Sequence, residues 1–230
     1  MAFPCYLAMT AAEILRCVKI PPNLAYLSCH FSPYGKGVSA VPPSLPPDTL
    51  LILTDRTPVC GHDAELVAQQ LCDAAARLKC CGILLDLQRP DVPEAPAIVE
   101  AVLEKAACPV TVSQLYAAEG DYPVLVSPSP LWTDPEELLA PWQGRPLWLE
   151  TVPEGALVTV TAEGSTWEPI PWNSFTPKFH HDGMHEDYRI EKERDRVKIY
   201  LRRDSACLDS LAEYARSMGA VARIGLYQQI

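Results

Sequence analysis

The stretch Cys81-Gly82-Ile83-Leu84-Leu85-Asp86-Leu87-Gln88-Arg89-Pro90 decides the fold. Its apolar run is nearly unbroken and ends in two polar side chains, Asp86 and Gln88. A run of this kind reads as a strand buried on both faces, as in a parallel sheet; a half-wet strand would alternate. Arg89-Pro90 stops it, because proline cannot donate to a strand ladder. The polar pair therefore falls at the carboxyl end, where α/β folds collect their ligands.

Similar segments recur on both sides. Upstream lie Cys5 to Met9, Leu24 to His30 and Leu50 to Asp55; downstream lie Pro109 to Gln114, Pro123 to Ser127, Pro146 to Glu150 and Val221 to Tyr227. Helical patterns fall between several of them. Thr10 and Glu13 have capping-box spacing. Asp63 precedes a helix whose inward face is read as Leu66, Val67, Leu71, Ala74, Ala75 and Leu78. Pro96 to Ala106 is a further helix. Asp134-Pro135-Glu136-Glu137 is a helix start, and Asp204 or Ser205 caps a last helix that Gly219 ends. Strand–helix alternation over eight strands predicts a (β/α)8 TIM-type barrel. The alternative, an open doubly wound sheet, calls for a glycine-rich phosphate loop after the first strand, and none is present.

The pattern changes between the seventh and eighth strands. Leu157 to Thr161 alternates, and Tyr188 to Ile190 with Val197 to Leu201 reads as a hairpin whose tip is the charged run Glu191 to Arg196. Trp167 to His185 reads as a loop. Residues 157–203 thus form a β-rich insertion in a single barrel domain spanning 1–230. Inside it, His180-His181-Asp182-Gly183-Met184-His185-Glu186 has the composition of a metal tract, but its spacing fits no helical histidine motif and Asp182-Gly183 is a turn signal. No metal and no cofactor are expected.

Composition narrows the function. The 230 residues carry a net charge of −10, which argues against nucleic acid as a partner. No apolar run approaches a membrane span of roughly 20 residues. Met1-Ala2-Phe3-Pro4-Cys5 has no basic region before an apolar stretch, so no signal peptide is expected. The nine cysteines form no CxxC pair and sit mostly inside apolar segments, as free thiols do, so a cytoplasmic location is expected. Oligomeric state is not readable.

A barrel brings the strand ends to one rim. The residues gathered there are Met9 or Thr10, His30, Asp55, Asp86, Gln88, Gln114, Ser127, Glu150 and Gln228, with Tyr34, Tyr116, Trp132 and Tyr227 nearby. Carboxylates and amides beneath aromatic walls suit a sugar or similar polar ligand. His30, Asp55, Gln88, Gln114, Tyr116, Tyr227 and Gln228 are the expected ligand contacts, and Asp86 and Glu150 the expected carboxylate pair. Each also has a plain reading. Asp55 could only orient the following loop, and Glu150 could pair with Arg145 or Arg89.

Gly82-Ile83-Leu84-Leu85-Asp86-Leu87-Gln88 resembles the catalytic strand of chitinase-like family 18 glycoside hydrolases, which runs Asp-Gly-x-Asp-x-Asp-x-Glu with apolar residues at x. The tail from Asp204-Ser205 to Gly225-Leu226-Tyr227 is similar to that family's last helix and strand, and the family also carries a β-rich insertion before that helix. The resemblance implies a barrel with a saccharide cleft. Position by position, Cys81 and Leu84 replace the first two aspartates, Asp86 is retained, and Gln88 replaces the acid glutamate. Leu53-Thr54-Asp55-Arg56 lacks the family's Ser-x-Gly-Gly. A glutamine cannot protonate a leaving glycosidic oxygen, so the resemblance implies binding without the family's chemistry. The other route to catalysis pairs Asp86 on the fourth strand with Glu150 on the seventh, as many sugar-hydrolysing barrels do.

Overall fold

Apolar strands close on themselves in the computed structural model, which describes residues 3–58 and 60–229. Met1, Ala2, Val59 and Ile230, including the first two residues of the N-terminal stretch read above, lie outside the described residues. The barrel is built from β1 (Cys5–Met9), β2 (Leu24–Phe31), β4 (Leu50–Thr54), β5 (Gly82–Asp86), β6 (Val110–Ser113), β7 (Val124–Val126), β8 (Leu147–Glu150) and β14 (Ala220–Leu226), all paired in parallel. A short β3 (Val38–Ser39) runs antiparallel to β2 at His30 and Phe31. Pairing of Leu7, Ala8 and Met9 with Leu24, Ala25 and Tyr26 joins the first strand to the second, and β14 returns to β1. That closure removes the open doubly wound alternative.

Five helices serve the crossovers: α1 (Ala11–Arg16), α2 (Ala64–Leu78), α3 (Ala95–Lys105), α4 (Pro135–Leu139) and α5 (Ser205–Ser217). The capping box of α1 forms as the spacing predicts, with Thr10 and Glu13 bonding each other's backbone. Asp63, Asp134 and Asp204 cap α2, α4 and α5. One face assignment is corrected. Leu66 is 40% exposed, and Ala68 takes its place in the buried stripe of α2, because the stripe's axis passes through Val67, Leu71 and Ala75. The β2–β4 crossover carries β3 instead of a helix, and the β6–β7 connection is a loop.

Period-2 alternation sorts each strand into two layers. Leu51 and Leu53 of β4, Ile83 and Leu85 of β5, and Val110 and Val112 of β6 pack outward beneath α2 and α3. Val124, Val126, Leu147 and Leu149 pack outward beneath α4 and α5. Ala8, Ala25, Leu50, Ile52, Leu84, Leu125 and Ile224 fill the interior with Tyr6 and Trp148, whose rings stack 4.8 Å apart. The strands β4 to β7 are thus buried on both faces, which is why the sequence shows apolar runs there instead of alternation.

Between β8 and α5 stands a second sheet, antiparallel and five-stranded: β9 (Glu154–Thr161), β10 (Gly164–Ile170), β11 (Phe179–His181), β12 (Glu186–Lys192) and β13 (Arg196–Arg203), in the order β10-β9-β13-β12-β11. The stretch Trp167 to His185, read above as loop, supplies most of β10 and all of β11. Leu131, from the loop after β7, packs on Ala156 and Leu201, so this sheet is anchored to the barrel rim through a small apolar cluster.

Candidate functional site at the barrel mouth

Parity decides which strand ends reach the axis. Asp86 follows the inward Leu84, Ser127 follows Leu125, and Glu150 follows Trp148. Asp86 and Glu150 both line a small interior cavity of about 30 Å³, beneath Val152 and Leu226, with space for a water molecule. Above it opens a cavity of about 260 Å³ walled by Gln88, Ser127, Pro128, Ser129, Glu150, Val152 and Glu154. Its size approaches the roughly 300–1,000 Å³ of small-molecule sites. A larger groove, about 370 Å³, lies beside α5 at the paired Arg223 and Asp209. It lacks the inward carboxylate pair, and the strand-end position favours the mouth.

The electrostatics follow from burial. Gln88 donates its amide to Asp86 Oδ1 at 2.6 Å. Burial pushes the Asp86 carboxyl up; the Gln88 bond opposes this, and the Asp55 charge adds to it. Glu150 is pushed up to about 7, first by burial and then by the Asp86 charge, against a hydrogen bond from Ser127. Glu154 is raised by burial and pulled back by Arg203 and by the hydroxyl of Ser129, 3.0 Å away. Glu150 is therefore a carboxyl that holds its proton close to neutrality beside an aspartate.

The other expected contacts lie in different settings. Asp55 has the outward parity of Leu51 and Leu53. Its Oδ2 accepts the backbone N–H groups of Gln88 (2.9 Å) and Arg89 (2.7 Å), so it fixes the loop that carries Gln88. Tyr116 accepts from Val92 N and donates to the Arg89 carbonyl at 2.6 Å, tying down the far end of the same loop. Gln114 has the outward parity of Val112, and its buried Oε1 has no partner among the described residues. His30 sits where β2 meets β3; burial and nearby Arg56 lower its pKa. Tyr227 and Gln228 lie exposed in a final 3-10 turn. Tyr227 Oη is 3.5 Å from Cys17 Sγ, and Gln228 bonds Glu13. None of these six lines either mouth cavity. Arg145 donates to the carbonyls of Ala118 and Tyr122, and Arg89 to that of Arg56, so the two arginines the sequence offers to Glu150 are engaged elsewhere.

The insertion contributes an arginine that sequence reasoning missed, and it gives Glu186, read above only as the end of the histidine tract, a different partner. Arg203, fully buried at the end of β13, donates to the Pro128 carbonyl at 3.0 Å and to Glu154 Oε1 at 3.1 Å, and pairs with the fully buried Glu186. Glu186 in turn accepts the N–H of Trp132 at 2.7 Å. Burial raises Glu186 against the pull of Arg203. The signal in the sequence is one of alternate positions: Glu186 precedes Tyr188 and Ile190, and Arg203 follows Ile199 and Leu201, on neighbouring strands.

The histidine tract forms the β11–β12 hairpin. Strand register sets His180 opposite Asp187, their side chains 2.9 Å apart, and α5 brings Cys207 within 4.8 Å of both. Arg202 already pairs with Asp187 at 3.0 Å, and burial pushes the Cys207 thiol up to about 12. The group is thus satisfied as an ion-pair cluster against a neutral thiol.

No protein-family model matches the chain, and no curated protein is significantly similar to it. Solved structures do resemble it. The spore cortex-lytic enzyme SleL of Bacillus cereus superposes with a TM-score of 0.55 at 9% identity, covering 97% of this chain and 70% of that one. SleL of Bacillus megaterium gives 0.53 at 9% identity with the same coverages. A chitinase from Chromobacterium violaceum gives 0.55 at 10% identity, covering 97% of this chain and 93% of that one. At such identities the likeness is one of fold: the chain adopts a closed barrel like those of this chitinase and the two cortex-lytic enzymes.

Proposed function

We propose that this chain is a degenerate relative of the family 18 glycoside hydrolases that binds a saccharide at the barrel mouth without cleaving it. The observation that carries the reading is the pairing of Gln88 with Asp86 at 2.6 Å. It places an amide beside the inward aspartate, at the position where the resembled motif has its acid glutamate. An amide holds a sugar hydroxyl well and transfers no proton. Asp86, Gln88, Ser127, Glu150 and Glu154 supply donors and acceptors around a space fit for a small polar ligand. The fold neighbours, a chitinase and two cortex-lytic enzymes, favour a glycan as the ligand class. The nine free thiols fit a reducing compartment, and the cytoplasm is part of the same proposal.

One observation favours a second reading, an active glycosidase using Asp86 and Glu150. Glu150, pushed up to about 7 by burial and by the Asp86 charge, is a carboxyl able to hold a proton near neutrality beside a second carboxyl, as an acid role requires. Turnover of aryl-glycosides separates the two. The binding reading expects no rate above background for the wild type. A robust rate that vanishes in both Asp86→Asn and Glu150→Gln establishes the hydrolase instead.

A further inference from the structure

We infer that copies of this chain associate head to tail, the exposed end of α1 in one copy seating in the groove between α3 and the β6–β7 loop of the next. In a complete barrel each strand is followed by a helix of the outer ring. The β6–β7 connection supplies none, so α3 lacks a neighbour on that side. A cavity of about 530 Å³ lies there. Val99 and Leu103 of α3 face Tyr116 and Tyr122 across it. The loop wall is built, not slack. Tyr122 Oη donates to the Ala118 carbonyl at 2.8 Å, and Arg145 lies 4.8 Å over the Tyr122 ring. A Cβ on Gly120 would sit 2.6 Å from that ring. Glu100, Glu104 and Glu119 line the same groove with their side chains exposed. Lys105, next in the chain, turns away to Glu65 of α2 at 2.8 Å.

The opposite side of the molecule carries the complement. No residue of α1 is buried. Leu15 is 86% exposed and Val18, three residues on, is fully exposed. Single exposed apolar residues are ordinary; two at helical spacing form a small knob. Arg16 and Lys19 flank it, both exposed, while Glu13 turns back to Thr10. Among the described residues, neither Arg16 nor Lys19 and none of Glu100, Glu104 and Glu119 forms an ion pair. An apolar knob between two cations thus matches an apolar groove edged by three carboxylates. A local match of sign is what a second copy needs, since a net charge of −10 otherwise drives copies apart. Knob and groove lie four strands apart round the ring in either direction. Two copies therefore cannot satisfy each other's contacts, and the association grows into a ring or an open row.

Sedimentation velocity from about 10 µM to about 500 µM tests this, the range suited to a small contact. The wild type is expected to form species larger than a dimer as concentration rises. Glu100→Lys with Glu104→Lys is expected to weaken self-association at least tenfold. That variant has less net negative charge than the wild type, so general repulsion alone predicts the reverse. Leu15→Ser with Val18→Ser is expected to weaken it as much. Mixed in equal amounts, the two variants should form a dimer that grows no further, because each supplies one half of the contact. Adding Arg16→Glu and Lys19→Glu to the lysine variant restores both the match of sign and the wild type's net charge, and should restore the larger species. All these side chains are exposed, so each variant is expected to keep the wild type's Tm; if one is destabilised, recovery of assembly in the charge-swapped variant decides. A wild type that stays monomeric or stops at a dimer overturns the inference. So does assembly that survives both variants, or a charge swap that restores nothing. Each of these results leaves the saccharide reading of the mouth standing.

Discussion

Glu150 ends β8 with its carboxyl in the barrel interior, and its titration has a measurable consequence. Below the ordinary glutamate value of 4.5, folded and unfolded chains are both protonated there. Above it the unfolded chain ionises first, while the folded chain keeps its proton until about 7. Stability therefore falls as pH rises through this window, by an amount on the order of 3 kcal/mol. Urea midpoints at pH 5 and pH 8 should show a drop for the wild type and a smaller one for Glu150→Gln. A residual slope is expected from Glu186, also pushed up to about 7, and from Asp86 and Glu154, which burial raises too. Asp55 makes the opposite kind of prediction. Its carboxylate satisfies two loop N–H groups, so Asp55→Ala should cost about 2 kcal/mol in chemical denaturation and loosen the loop bearing Gln88. The same two residues show how much of the site could be read in advance. Both are acidic strand ends, and the sequence offers each of them a site role and a plain one. Only parity separates them, and parity needs the interior and exterior layers to be known.

At the scale of elements, the β13 terminus is the joint between insertion and barrel. Arg203→Met leaves Glu186 buried without its partner, and a loss of about 3–5 kcal/mol is expected. Arg203→Met combined with Glu186→Gln should recover part of it, since the second change removes the stranded charge. Thermal and urea unfolding of both variants check this; equal destabilisation of the two would contradict the pairing. The insertion was also the least legible part of the chain. β10 is exposed along almost its whole length and β11 throughout, so neither shows apolar alternation. Backbone pairing with β9 and β12 holds them, and such pairing leaves no trace in side-chain periodicity. The barrel strands are legible for the converse reason: burial on both faces writes Leu50 to Leu53 and Ile83 to Leu85 as continuous apolar runs.

For the whole molecule, closure turns separate strand ends into a mouth. Parallel pairing from β1 round to β14 aims Asp86, Ser127 and Glu150 at one axis, and the insertion adds Glu154 at the rim. The account's central claim is that this mouth holds a sugar. Crystals soaked with mono- and disaccharides test it most directly. The claim predicts density for a ring within hydrogen-bond reach of Asp86, Gln88 and Glu150, with its glycosidic bond intact. A mouth that stays free of sugar at saturating concentration, or a sugar seated only on the outer wall beside α5, would contradict it.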